Sequence, residues 1–152
     1  VKLNPGRWLL ILAWGVLVAE LFNAGMGFWA LKRVEKKAGT PIRGVFLPHL
    51  FQPVFTLKDP WISWQDRFQV VSGHLRVRYE PLSLLPGRKL RVQVWGSDLT
   101  VHLLGEWMES QGLSQARVDT VEADFALPDK GPPEIFAFHL NSPELRFNLT
   151  KK

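Results

Sequence analysis

The 152-residue chain carries 19 Lys+Arg against 14 Asp+Glu and contains no cysteine. Disulfides, thiolate catalysis and cysteine-ligated metals are thereby excluded for these residues. The net charge of +5 is unevenly placed. Residues 1–37 hold six basic groups (Lys2, Arg7, Lys32, Arg33, Lys36, Lys37) against Glu20 and Glu35, whereas thirteen basic and twelve acidic groups share the remainder. A nucleic-acid binder carries its positive charge as a stripe on the folded domain, so nucleic acid is not an expected partner.

From Trp8 to Leu31 the chain reads WLLILAWGVLVAELFNAGMGFWAL, with Glu20 as its only ionisable side chain. A helix of that length extends about 36 Å, against ~30 Å for a hydrocarbon core. Trp8 and Trp29 lie near the two ends, and Arg7 and the pair Lys32-Arg33 flank them, as expected at membrane–water boundaries. The apolar core of a cleaved signal is usually ~7–15 residues and ends in small residues. Phe28-Trp29-Ala30-Leu31 does not fit that pattern. Residues 1–37 are expected to form a retained transmembrane helix with basic flanks.

Gly15, Ala19, Asn23 and Gly27 recur at i+4, a row of small residues that admits close approach of another helix. Glu20, three residues before Asn23, lies near the same side; a carboxylate at that depth must be neutral or face protein. The five residues together are expected to dock other membrane subunits.

Beyond Lys37 the period changes to two. Val71, Gly73, Leu75, Val77 and Tyr79 alternate with polar residues, as do Leu90, Val92 and Val94, then Val121, Ala123, Phe125 and Leu127, and finally Leu145, Phe147 and Leu149. Such alternation predicts strands with one buried and one wet face, a pattern typical of antiparallel sheets. Pro86-Gly87, Gly96-Ser97-Asp98, the 128–133 stretch and Asn141-Ser142-Pro143 are expected turns or loops, and Leu103 to Gln115 a short helix. The predicted fold is therefore mainly β: one transmembrane helix, then a curved antiparallel sheet of seven or eight strands with one short helix over residues 38–152.

No catalytic machinery is legible. His49, His74, His102 and His139 lack metal-ligand spacing, and nucleophile-elbow and phosphate-loop motifs are missing, so no enzyme activity, metal or cofactor is expected. Glu122 and Asp124 read as a solvated strand face. His74, Arg76 and Arg78 share one strand face and Lys89 and Arg91 share another. Pairing of those strands would create a basic patch for lipid headgroups or an acidic partner. Trp61 and Trp64 are expected at the membrane interface together with Trp8, Trp29, Lys32 and Arg33.

The stretch from Ala38 to Trp107 resembles the N-terminal region of AsmA-like bacterial envelope proteins. The resemblance runs through Gly39-Thr40-Pro41-Ile42, Val54-Phe55-Thr56-Leu57, Asp59-Pro60-Trp61-Ile62, Gly73-His74-Leu75-Arg76-Val77, Pro81 to Gly87, and Gly96 to Val101. It implies an inner-membrane helix, a periplasmic β domain and contact with phospholipids. The chain is expected to be an accessory subunit of a larger bacterial membrane complex, respiratory or photosynthetic, with AsmA-like lipid handling as the alternative.

Overall fold

The computed structural model describes residues 4–64, 68–104, 110, 112, 115–143 and 146–151. One helix, α1 (Pro5–Ala38), precedes seven strands: β1 (Ile42–Pro48), β2 (Val54–Trp64), β3 (Phe68–Tyr79), β4 (Leu90–Leu103), β5 (Gln115–Leu127), β6 (Glu134–Asn141) and β7 (Arg146–Thr150). A 3-10 turn, Pro81–Leu84, bridges β3 and β4. The strands form one antiparallel sheet in sequence order, with β1 and β7 at its edges. The fold class read from the alternation is the one observed. The helix expected over 103–115 falls mostly outside the described residues.

Local chemistry sets the limits of α1. The Asn4 side chain accepts from the Gly6 amide at 3.2 Å, and Pro5 occupies a first-turn position where no amide is needed. At the other end Gly39 adopts φ 69°, a left-handed stop, and its amide donates to the Glu35 carbonyl. Lys36 and Lys37 lie in the last turn, where the helix dipole favours cations.

The sheet has one apolar and one polar face. Phe55 and Leu57 of β2, Leu75, Val77 and Tyr79 of β3, and Leu90 and Val92 of β4 are buried on the first. Thr56, Lys58, His74, Arg76, Arg78, Arg91, Gln93 and Trp95 occupy the second, in cross-strand register. Ala30 and Leu31 of α1 belong to the same buried cluster as the apolar face, and Met26 and Val34 pack against it.

A row of irregularities crosses β1 to β4 at one level. Register shifts occur near Gly44 and on both sides of Ser72, and β2 carries Asp59 at φ 50°. Asp98 in β4 has φ 51°. Bulges add a residue, kink the strand and increase twist, so a row of them bends the sheet. Two sequence expectations fail here for that reason. Gly96-Ser97-Asp98 is not a hairpin turn but an irregularity inside the continuous β4. In β3, Val70 rather than Val71 packs against the core, because a one-residue slip moves every preceding side chain to the opposite face.

Gly73 is the point of that row pressed most closely against main chain. Its φ is 118°, and a Cβ there would lie 2.7 Å from the Asp98 carbonyl oxygen and 2.9 Å from that of Ser97. Gly73→Ala is expected to cost about 3 kcal/mol, from a forbidden backbone conformation plus overpacking against main chain. Chemical denaturation of the chain in mild detergent checks this; an unchanged midpoint contradicts the assignment of the bend.

Candidate functional site at the helix–sheet junction

The helix divides into two halves with different surroundings. Its most apolar eighteen residues contribute nothing to the buried interior. Gly27, Ala30 and Leu31, by contrast, are buried. The close approach of the helix depends on Gly27, where a Cβ would meet the Phe46 ring at 3.3 Å and the Phe55 ring at 3.4 Å. Phe28, Phe46, Phe55 and Tyr79 continue as a chain of ring contacts, with centroids 5.0–6.3 Å apart. The expected span to Leu31 therefore overlaps the sheet's own core by about a third, and the helix runs on to Ala38 as part of one packing unit with the sheet.

Polar groups mark where the two halves meet. Asn23 Nδ2 donates to the carbonyls of His49 (3.0 Å) and Gln52 (3.1 Å). The Phe51 amide donates to Glu20 Oε1 at 2.8 Å. Tyr79 Oη donates to the Asn23 carbonyl at 3.3 Å. The loop between β1 and β2 is thus tied to the helix at three points, through residues 20–23. Glu20 faces protein, and the protein it faces is its own chain.

The row of small residues is split by the same junction. Successive i+4 positions drift about 40° around a helix. Asn23 and Gly27 face the sheet, so they are occupied within the molecule. Gly15 and Ala19 have turned to the flank by roughly 80–120° relative to Gly27. Nothing lies within 4 Å of a Cβ built on Gly15, and Ala19 is exposed. Of the small residues expected to meet another helix, Gly15 and Ala19 are the ones left uncovered by the chain itself.

The basic patch is divided too. β3 and β4 do pair, with Arg76 opposite Trp95 and Arg78 opposite Gln93. Lys89, however, binds Glu134, and Arg91 binds Asp124 at 3.4 Å while stacking over the Phe136 ring. Neither Arg76 nor Arg78 has an ion-pair partner among the described residues. Gln52, Pro53, Val54, Arg76, Arg78 and Trp95 line one open depression of about 440 Å³ beside the β1–β2 loop. His74 is exposed further along the same face, opposite Lys58.

The expected interface residues separate in the same way. Trp8 and Trp29 are half exposed, and Trp61 lies under the Arg43 guanidinium at 5.6 Å. The Trp64 side chain lies outside the described residues. Lys32 pairs with Glu35, whereas Arg33 reaches Asp129 and the Arg88 carbonyl and so clamps the helix to the far loops of the sheet. His49 bonds Thr56 Oγ1 at 2.8 Å and His139 bonds Asn148 Oδ1 at 2.9 Å. No cluster suited to a metal ion occurs among the described residues.

The feature sequence reasoning missed is the β1–β2 tip. Phe51 and Leu50, 70% and 69% exposed, are the most exposed large apolar side chains among the described residues. An apolar pair inside a Pro48–Pro53 turn, where polar residues are usual, was the available signal. The class defined by fold and site is a β-sheet domain mounted on a single helix that is long and apolar enough to cross a membrane. No family model, curated protein or solved structure matches the chain.

Tyr79 is the single tyrosine, and burial lifts its phenol above the ordinary 10.0. A raised folded-state value means its stabilisation is complete below pH 10 and is lost as pH rises through the folded value. Near-ultraviolet tyrosinate absorbance reports this group alone. Its titration is expected above pH 10.0 together with loosening of the helix–sheet junction. An ordinary midpoint with the fold intact contradicts the packing at Asn23.

Proposed function

We propose that the chain is a non-enzymatic, single-span membrane protein. It serves as an accessory subunit, holding its sheet at the bilayer surface and docking on a larger membrane assembly through the upper half of α1. One observation carries this reading: an apolar half-helix with no buried residue in its eighteen-residue stretch continues without a break into a half-helix that is part of the sheet's core. A soluble core helix would be covered along its length. A cleaved leader would take Gly27, Ala30 and Leu31 with it and leave Phe46, Phe55 and Tyr79 open to water, at a cost of about 25 cal/mol per Å² of apolar surface.

Lipid transport along a groove is the weaker alternative. The apolar face that would form such a groove is filled by the chain's own side chains: Leu90 is 0% exposed and Phe55, Val92 and Ala30 are 1% exposed. The resemblance to AsmA-like proteins favours the bacterial inner membrane with the sheet on the periplasmic side. Positive residues favour the cytoplasmic side, and the flank after the span holds more of them than the one before it, but that flank is partly engaged, since Arg33 and Lys32 bind Asp129 and Glu35.

Alkaline carbonate extraction should leave the chain in the membrane pellet, and mild detergent should recover it with a stoichiometric partner. Gly15→Leu with Ala19→Leu is expected to lower the co-purified partner about tenfold, near 1.4 kcal/mol, without altering the denaturation midpoint of the sheet. Release into the carbonate supernatant sinks the span. A partner retained at full yield sinks the docking face.

A further inference from the structure

We propose that the β1–β2 tip is a membrane-seating element. Leu50 and Phe51 enter the acyl region, and Arg76 and Arg78 bind the phosphates of anionic phospholipids beside it. The proposal rests on the reading that the upper half of α1 spans the bilayer.

Three independent observations converge on this surface. The first is position. Glu20, Asn23 and the loop carbonyls and amide bind one another directly, so the tip lies where the helix leaves the sheet. The uncovered apolar stretch of the helix is eighteen residues, about 27 Å, which falls slightly short of a ~30 Å hydrocarbon core. A short span draws adjacent apolar surface into the bilayer, and the adjacent surface is this hairpin, with Val45 and Leu47 exposed behind the tip.

The second is the conformation of the tip. Phe51 has φ 55°, a region that Gly or Asn enters more cheaply than a bulky aromatic residue. The Glu20 carboxylate holds the Phe51 amide there, and the ring projects away from the protein with 70% of its surface bare. Folding alone would favour a polar or glycine residue at this position. A hydrocarbon environment favours phenylalanine.

The third is charge. Acids sit beside Lys32, Arg33, Lys89, Arg91 and Arg117, but Arg76 and Arg78 are left without an acidic partner among the described residues. They share a depression with Gln52, whose carbonyl is bonded to Asn23. Two unpaired guanidiniums beside a bilayer-level loop match lipid phosphates in charge and geometry.

The absence of native cysteine allows a direct test on the full chain. Leu50→Cys, Leu12→Cys and Ile135→Cys variants are labelled with an environment-sensitive fluorophore. They are then reconstituted in vesicles of phosphatidylcholine and phosphatidylglycerol. The Leu50→Cys label is expected to shift to the blue and to be quenched by lipid spin-labelled high on the acyl chain. The Leu12→Cys label should be lipid-protected as well, and Ile135→Cys should stay in water. A Leu50→Cys label in water with Leu12→Cys protected overturns the seating element and leaves the span standing; both labels in water overturn the span itself. Protection of Leu50→Cys only after a co-purifying protein is added identifies a protein occupant and also overturns the proposal. Arg76→Gln with Arg78→Gln is expected to weaken phosphatidylglycerol binding by roughly tenfold or more in native mass spectrometry, with Arg117→Gln unchanged. Equal binding by the double variant removes the phosphate contact.

Discussion

Everything in this molecule depends on one rigid helix that the sheet covers along one half and leaves bare along the other. A helix propagates cooperatively and bends little without proline or a bulge, and α1 is continuous over 34 residues, about 51 Å. Its lower half is held by Phe46, Phe55 and Tyr79 around Gly27 and by the Arg33 contacts with Asp129 and the Arg88 carbonyl. With one end of the rod fixed in the sheet, the direction of the bare end is fixed as well. The sheet is therefore mounted on the helix rather than tethered to it.

The polar groups of the junction make that transition sustainable. A carboxylate and a carboxamide on an apolar helix are expensive in lipid unless they are satisfied. Glu20 and Asn23 find their partners in main-chain groups of the β1–β2 loop, so the same bonds that satisfy the helix also immobilise the loop. Such bonds are worth only about 1 kcal/mol each in net terms, but an unmade one at the edge of a hydrocarbon phase costs considerably more. The loop is consequently as much a part of the helix environment as of the sheet.

The sheet supplies a surface rather than a chamber. Bulges near Gly44, Asp59, Gly73 and Asp98 bend β1 to β4 around their apolar face, and the helix fills the space left over. What remains outward is a polar face on which Arg91 has an acid partner while Lys58, Arg76 and Arg78 have none among the described residues. That division of paired and unpaired charge distinguishes residues of one chemical type by their surroundings. Lys89 and Arg91 hold strands together, while Arg76 and Arg78 are available.

Local periodicity was enough to determine the class of elements. A 24-residue apolar run and repeated period-two alternation dictate one long helix and an antiparallel sheet, because burial of apolar side chains must follow the geometry of the backbone that carries them. Periodicity is silent about which partner covers which face, and there the tertiary structure decided. Asn23 and Gly27 read as part of a row for another subunit, yet a 40° drift per step sends them to the chain's own sheet and leaves Gly15 and Ala19 outside. Arg76 and Arg91 look equivalent on paper, but Asp124 is thirty-three residues beyond Arg91, and only the register of β4 with β5 brings it there. Glu20 and Phe51 are thirty-one residues apart, and no local pattern signals that a carboxylate on the helix will hold a loop amide. Residue type and spacing thus settle what each segment becomes, while contacts between distant segments, which depend on strand register and helix rotation, settle which side chains remain free to act.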